Sequence, residues 1–306
     1  MAAVLTITLN PTIDVFGAAD AVRHTEKVRL RDATYEPGGG GINVARVIAT
    51  LGGEVEALAL AGGEMGAFLA RLAADEGLTF HRVAIAGQTR VALMVRDQST
   101  GLEYRFLPEG PEVSEADVEA CVGIIAARTE GFVVASGSLP RGAPEDSYVR
   151  MAGAAARNAL PFVLDTSGKA LSAALGHGGL FLVKPSRGEL EAHVGQALDT
   201  AGIAAAAQEL VSSGKARMVA VTLGGDGALL ASPEGLIRLP AIAVPVRSAV
   251  GAGDSFLGAM VWALTQDWPL EKAFRLAMAA GAAATSNAGT TLCKKDTVYT
   301  LYAQMS

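Results

Sequence analysis

Short apolar runs rich in β-branched residues alternate along this chain with stretches whose apolar positions recur every three or four residues. The runs at 4–9, 55–60, 132–136, 162–165, 181–183 and 218–222 predict strands. The stretches at 42–51, 66–76, 115–128, 147–158, 200–213, 255–266 and 270–286 predict helices. That alternation argues for an α/β fold: a mainly parallel sheet joined by right-handed crossovers, with helices on both faces. Ligands of such sheets gather at the carboxyl ends of the strands.

Two segments break the rhythm. Residues 12–35 and 88–107 show no helical period, and side chains alternate in Val91-Ala92-Leu93-Met94-Val95-Arg96 and Glu103-Tyr104-Arg105-Phe106. They read as a small second sheet, separate in sequence and joined in space, placed to act as a lid that keeps water from a site. The plainer reading is surface β-structure. Alanine-rich stretches such as Ala204 to Ala207 are ordinary helix, and no internal repeat is present.

Composition narrows the field. The chain has 306 residues, half of them hydrophobic, enough for one large α/β domain or two smaller ones without staples. Two cysteines, Cys121 and Cys293, form neither a disulfide framework nor a ligand pattern, which suits a reducing cytoplasm. The expected first strand, Val4 to Leu9, lacks the basic start of a signal peptide, and no apolar stretch approaches membrane-spanning length. A net charge of −6 argues against a general nucleic-acid binder and leaves room for an anionic small substrate.

Candidate chemistry concentrates in glycine-rich patches. Gly251-Ala252-Gly253-Asp254 precedes the helical run Phe256 to Leu264, so free backbone N–H groups should point at an anion there. A carboxylate inside an anion site suggests phosphoryl transfer to a hydroxyl, which needs both an oxyanion cradle and a base. The competing reading makes Asp254 a simple N-cap. Gly38-Gly39-Gly40-Gly41 runs straight into the helix carrying Asn43, which brings backbone against a small ligand or forms a tight structural turn. Asp14 follows the first strand, where an acid can accept sugar hydroxyls or sit in a Pro-containing turn. Lys27, Arg29, Arg31, Arg90 and Arg105 give the lid segments a cationic rim for a phosphate, or are solvated charges on edge strands. Lys184 follows the strand 181–183 and is placed to meet a nucleotide phosphate, with Glu189 able to hold hydrated Mg²⁺. Thr222-Leu223-Gly224-Gly225-Asp226-Gly227 wraps a nucleotide or turns a hairpin. No GxxxxGK[ST] loop occurs, and His24, His81, His177 and His193 lack metal-ligand spacing. Gly251-Ala252-Gly253 is not a dinucleotide fingerprint, because its acid is adjacent instead of on a later strand.

Together these pieces resemble the ribokinase-like (PfkB) carbohydrate kinases. Gly38-Gly39-Gly40-Gly41-Ile42-Asn43-Val44-Ala45 and Val250-Gly251-Ala252-Gly253-Asp254-Ser255 match the two family signatures in family order, over nearly the whole chain. Glu36-Pro37, Arg46, Gly137-Ser138-Leu139-Pro140, Leu182-Val183-Lys184-Pro185 and Asn287-Ala288-Gly289-Thr290 carry a closer likeness to its phosphofructokinases. The resemblance implies a three-layer α/β/α domain spanning residues 1–306, with a β-sheet lid through which two copies pair. It implies Asp254 as general base and the Gly251, Ala252 and Gly253 amides as anion hole. Asp14, Gly39, Asn43 and Ser138 would hold the sugar. Arg90, helped by Lys27 and with lesser parts for Arg105 and Arg29, would hold its phosphate. Lys184, Ser186 and residues 222–227 would bind ATP, with Mg²⁺ held through water by Glu189. Ser248, Val250, Asn287 and Gly289 occupy the positions of a monovalent-cation site, for K⁺. The implied reaction is ATP-dependent conversion of fructose 6-phosphate to fructose 1,6-bisphosphate. Fructose 1-phosphate and tagatose 6-phosphate are alternative acceptors, and a non-catalytic sugar-phosphate-binding regulator is the reading from another class. One departure stands out: the family has Asn where this chain has Ser186, whose shorter reach is expected to alter the water network around Mg²⁺.

Overall fold

The computed structural model describes residues 4–305; Met1 to Ala3 and Ser306 of the expected single domain lie outside the described residues. Strand β1 (Val4–Thr8) is buried along its whole length, as a strand covered on both faces must be. The chain then leaves the main sheet for β2 (Thr12–Ala19) and β3 (Arg31–Gly38). It returns through α1 (Gly40–Leu51) to β4 (Val55–Gly62), parallel to β1. After α2 (Gly63–Asp75) come β5 (Thr79–Ile85), at the sheet edge, and then β6 (Arg90–Asp97) and β7 (Glu103–Phe106). The regular crossovers follow: α3 (Glu115–Ala126), β8 (Phe132–Ser136), α4 (Ser147–Arg157), β9 (Phe162–Asp165), α5 (Gly168–His177), β10 (Leu180–Val183), α6 (Arg187–Val194), α7 (Thr200–Ser212) and β11 (Ala216–Thr222). The antiparallel strands β12 (Ala228–Ser232) and β13 (Gly235–Leu239) close the sheet, and α8 (Ala252–Thr265), α9 (Leu270–Thr285) and α10 (Lys295–Ala303) end the chain.

The nine strands of the main sheet run in the order β13-β12-β11-β10-β9-β8-β1-β4-β5. Chain direction splits around β1, with β4 on one side and β8 on the other, so the switch point lies at the carboxyl ends of β1 and β8. One face is covered by α3, α4, α5 and α7, the other by α1, α8, α9 and α10. The expected parallel, three-layer α/β architecture is therefore the observed one. Helix α8 is apolar on nearly every side because it is buried between α1 and α9.

The four-stranded sheet β3-β2-β6-β7 joins the segments 12–38 and 90–106 and packs through Ile13 and Val15 against Ile42, Ala59, Ala61 and Leu69. Sequence patterning missed α5, α6, α10, β5 and β13, and held β12 only within the hairpin alternative for residues 222–227. Only Leu190 is buried in α6, so it has no apolar stripe to detect, and β5 is an edge strand with mostly solvated side chains.

Candidate active site

Gly251 is the N-cap of α8 with φ of 70°, a left-handed conformation costly for any residue with a Cβ. A Cβ there would also lie 2.5 Å from Leu292 Cδ2. Gly253 is an ordinary helical residue that needs no such freedom. Asp254 is the third residue of α8 and caps nothing, so the N-cap reading does not describe it. Its Oδ2 instead accepts a hydrogen bond from Asn43 Nδ2 at 2.9 Å. With no side-chain cap, the first N–H groups of α8 point outward at the positive end of the helix dipole. Burial pushes the Asp254 carboxyl up to about 6; repulsion from Asp165 adds to this, and Asn43 and Lys184 oppose it.

Lys184 lies at the carboxyl end of β10 with its side chain only 6% exposed, and its Nζ is 3.1 Å from Asp165 Oδ2. A Cβ on Gly253 would sit 3.4 Å from that Nζ, which places the ammonium beside the first turn of α8. Burial alone would lower the Lys184 pKa; the carboxylates of Asp165, Asp254 and Glu189 outweigh it and hold the ammonium charged. Burial likewise raises the Asp165 pKa, against the pull of Lys184. Sequence reasoning missed Asp165, although an acid ending an expected strand carries the positional signal that drew attention to Asp14.

The four-glycine patch lies against the ends of β1 and β8. A Cβ on Gly38 would fall inside the Asp14 carboxylate, and one on Gly40 against Ser136 Oγ. On Gly41 it would be 2.6 Å from Thr8 Oγ1, the same oxygen that accepts the Ile42 N–H at 2.9 Å. The protein itself therefore fills most of the space the glycines leave, and the close approach is largely internal. Gly39, with φ of 110°, is the patch residue that lines a cavity.

That cavity, of about 260 Å³, is bounded by Asp14, Gly39, Arg90, Arg105, Val250 and Thr290, and so gathers lid and core residues. Burial pushes the Asp14 carboxyl up to about 6, with Glu36 adding to the rise and Arg46, Thr12 and Arg90 opposing it. Arg90 donates to the carbonyls of Asn10 at 2.7 Å, Pro108 at 2.9 Å and Pro11 at 3.4 Å, which fixes its fork at the cavity wall. Ser138 borders a neighbouring cavity of about 370 Å³ that Arg90 also lines. Lys27 and Arg29 are exposed on the β2–β3 connection and do not line the cavity beside Asp14; Arg31 pairs with Asp20 at 2.5 Å on the surface.

On the other flank, Ser186 is the N-cap of α6. Its hydroxyl accepts the Glu189 N–H at 3.3 Å, and Glu189 Oε2 accepts the Ser186 N–H at 2.7 Å, a reciprocal capping box. The spacing Ser-x-x-Glu was the available signal. Arg187 pairs with Asp226 at 2.8 Å. Residues Thr222 to Gly227 form the turn between the antiparallel strands β11 and β12, including one 3₁₀ turn at Gly224–Asp226, so the hairpin reading describes their backbone.

Ser248 and Arg247 both donate main-chain N–H bonds to Thr285 O, bringing the 246–250 loop to the end of α9, near Asn287 and Gly289. Asn287 Nδ2 donates to Leu292 O at 2.9 Å, and Gly289, with φ of 66°, lies against Phe16 of the lid. Glu103 Oε2 is 3.4 Å from Ser248 Oγ, and its buried Oε1 has no partner. An orphaned carboxylate oxygen beside this loop fits a cation there. Among the described residues no cluster of three or more His, Cys, Asp or Glu side chains forms a direct metal site, and no helix is long and apolar enough to cross a membrane.

The sequence matches the family described as pfkB family carbohydrate kinase over residues 6–297. This chain belongs to that family. It is 43% identical over 298 residues, covering 96% of this chain and 87% of the relative, to an ATP-dependent 6-phosphofructokinase isozyme 2 of Mycobacterium tuberculosis. Phosphofructokinase-2 from Escherichia coli crystallised with potassium superimposes with a TM-score of 0.96 at 39% identity, covering 100% of this chain and 99% of that one. The same Escherichia coli enzyme in complex with fructose-6-phosphate gives 0.93 at 38% identity, covering 99% of both chains. As a kinase of this family, the chain presents its two glycine patches, the cavity beside Asp14 and Asp254 at one end of the main sheet, the end where the strand order switches.

Proposed function

We infer that this chain is an ATP-dependent 6-phosphofructokinase. The observation that carries the reading is Asp254: a carboxylate on the first turn of α8, held by Asn43 at 2.9 Å beside unpaired helix N–H groups. A carboxylate pushed up to about 6 can take the proton of an attacking hydroxyl near neutral pH. The amides of Gly251, Ala252 and Gly253 and the ammonium of Lys184 face the charge that builds on the transferred phosphoryl group. Asp14 accepts sugar hydroxyls, and Arg90 and Arg105 make the same cavity suited to a substrate already carrying a phosphate.

Lys184, Ser186 and residues 222–227 flank the ATP path. Glu189 has one oxygen committed to its capping box, so it would hold Mg²⁺ through water alongside the nucleotide phosphates. Ser248, Val250, Asn287 and Gly289 would hold K⁺, supported by the orphaned Glu103 oxygen. Mg²⁺ and K⁺ would add positive charge near the phosphoryl groups. A homodimer through the lid belongs to the same reading, because Tyr35, Val91, Leu102, Phe106 and Leu107 stand exposed on or beside it. Two buried free cysteines and these substrates suit the cytoplasm.

The deciding experiment is ADP release with Mg-ATP and, separately, fructose 6-phosphate, fructose 1-phosphate, tagatose 6-phosphate and unphosphorylated sugars. We expect the highest kcat/KM for fructose 6-phosphate. A higher value for another acceptor overturns the substrate, and sugar-phosphate binding without turnover overturns the enzyme.

A further inference from the structure

The guanidinium of Arg46, on α1, is buried to 11% exposure and joins three elements. Its Nε donates to Glu76 at the end of α2 at 2.6 Å, its Nη2 to Glu36 on lid strand β3 at 3.0 Å, and its Nη1 to Pro37 O on the same strand at 3.3 Å. The same Nη1 lies 3.5 Å from Asn43 Oδ1, one turn back along α1. Asn43 thus has its carbonyl toward a cation and its N–H toward the Asp254 carboxylate. The flipped amide would set oxygen against carboxylate and N–H against guanidinium, two repulsive contacts in place of two attractive ones.

The charge of Arg46 also acts on Asp14. Asp14 is paired in register with Glu36 across β2 and β3, and Arg46 binds Glu36. The groups acting on the Asp14 carboxyl are Thr12 on its own strand, Glu36 on β3, Arg46 on α1 and Arg90 on β6; the Asp254 carboxylate on α8 and that of Asp14 repel each other, and Arg105 on β7 lines the same cavity. Among these, Arg46 opposes the rise caused by burial more strongly than Arg90 does. Three of Arg90's N–H groups are already spent on backbone carbonyls.

We propose that Arg46 is a positioning residue for phosphoryl transfer: it fixes the Asn43 amide with its N–H toward Asp254 and sets its charge across from Asp14. It touches neither the reacting atoms nor the cavity wall, and it acts through the two residues that do. A mere strut between lid and core would hold the same elements together without controlling the protonation of Asp14.

The test rests on the proposed sugar-phosphate role of Asp14, so one readout is chosen that needs no substrate. The Asp14 carboxyl is titrated by carbon-13 NMR in the ligand-free enzyme, with Asp14→Asn assigning its resonance. Removing the cation in Arg46→Met should move that titration to higher pH, and removing the anion in Glu36→Gln should move it to lower pH, each by about one pH unit, tenfold in proton affinity. With fructose 6-phosphate at pH 7, Arg46→Met should raise KM about twofold, because a rise of one pH unit from about 6 leaves about half of the Asp14 carboxyls ionised instead of about nine-tenths, and should lower kcat. Arg46→Lys should return the titration and KM toward the parent while kcat stays low, because an ammonium has no fork for Asn43 and Glu36 together. Unmoved titrations, or shifts of the same sign in Arg46→Met and Glu36→Gln, overturn the proposal. If Arg46→Met does not fold, Glu36→Gln and Arg46→Lys decide it alone. If the parent does not turn over fructose 6-phosphate, the substrate reading fails, and the NMR titration still reports on Arg46.

Discussion

The two glycine-rich helix starts look alike in sequence and differ in what the glycines are for. At α1, the missing side chains let the chain lie on β1 and β8, and their places are taken by Asp14, Thr8 and Ser136. Even capping is borrowed there, since Thr8 from β1 accepts the Ile42 N–H. At α8, Gly251 makes a left-handed turn, and the helix N-terminus is left uncapped beside Lys184 and Asp254. One patch is a packing device that sets Asn43 and Gly39 in place; the other leaves the first N–H groups of a helix without a side-chain cap. The two meet in the Asn43–Asp254 bond, and Gly258 of α8 comes so close to α1 that a Cβ would be 2.8 Å from Val47. A glycine run before a helix therefore marks a close approach without saying to what.

The largest effect that would sharpen this contrast is at Asp254. Asp254→Asn should cut kcat by about 10³-fold, within the usual range for losing a general base, while ATP affinity changes little. The same substitution should stabilise the ligand-free protein at pH 7. A carboxyl whose folded pKa is raised to about 6 from its ordinary 3.8 is more costly to ionise in the fold than in the unfolded chain. That cost is present above pH 6 and fades as pH falls toward 4, so the gain in Tm should shrink over the same window. A near-normal kcat would remove Asp254 from the chemistry, and an unchanged Tm at pH 7 would contradict its burial.

Next in size is a matched pair, because Gly41 and Gly253 hold the same position, the second residue of their helices. Gly41→Ala pushes a methyl onto the Ile7 carbonyl and Thr8, fixed atoms of a buried strand, and should destabilise by about 1–3 kcal/mol. Gly253→Ala meets only the end of the Lys184 side chain, Nζ at 3.4 Å and Cε at 3.9 Å, and should leave stability unchanged or raise it by about 0.5–1 kcal/mol. Equal losses in denaturant unfolding would erase the distinction drawn between the patches.

The smallest effect concerns the nucleotide flank. Ser186→Ala removes the cap of α6 and should cost about 1 kcal/mol. The backbone N–H of residue 186 still donates to Glu189 Oε2, but without the cap the first turn that carries Glu189 is loosened, so the Mg²⁺ concentration for half-maximal turnover should shift. Ser186→Asn keeps a capping side chain, and its stability should match the parent's. An Mg²⁺ titration identical in all three proteins would mean that Glu189 takes no part in holding the ion.

Much of this molecule is written locally. Periodicity alone determined the alternating α/β order, and the interruption at 12–35 and 88–107 determined that a second sheet stands apart, because the two repeats are properties of contiguous residues. The signature segments likewise determined the family, and with it Asp254, Asn43 and Lys184 as candidates. What only the tertiary structure decided are relations between distant segments. That Asp165 pairs with Lys184, that Arg46 sits between Glu36, Glu76 and Asn43, and that Asp14 fills the space beside Gly38 are all invisible along the chain. The titration of Asp14 and Asp254 is of the same kind, since it is burial by residues from other elements that raises both. Local sequence fixes backbone preference and period; the charges, cavities and close contacts that give a site its chemistry arise where strands far apart in sequence end side by side.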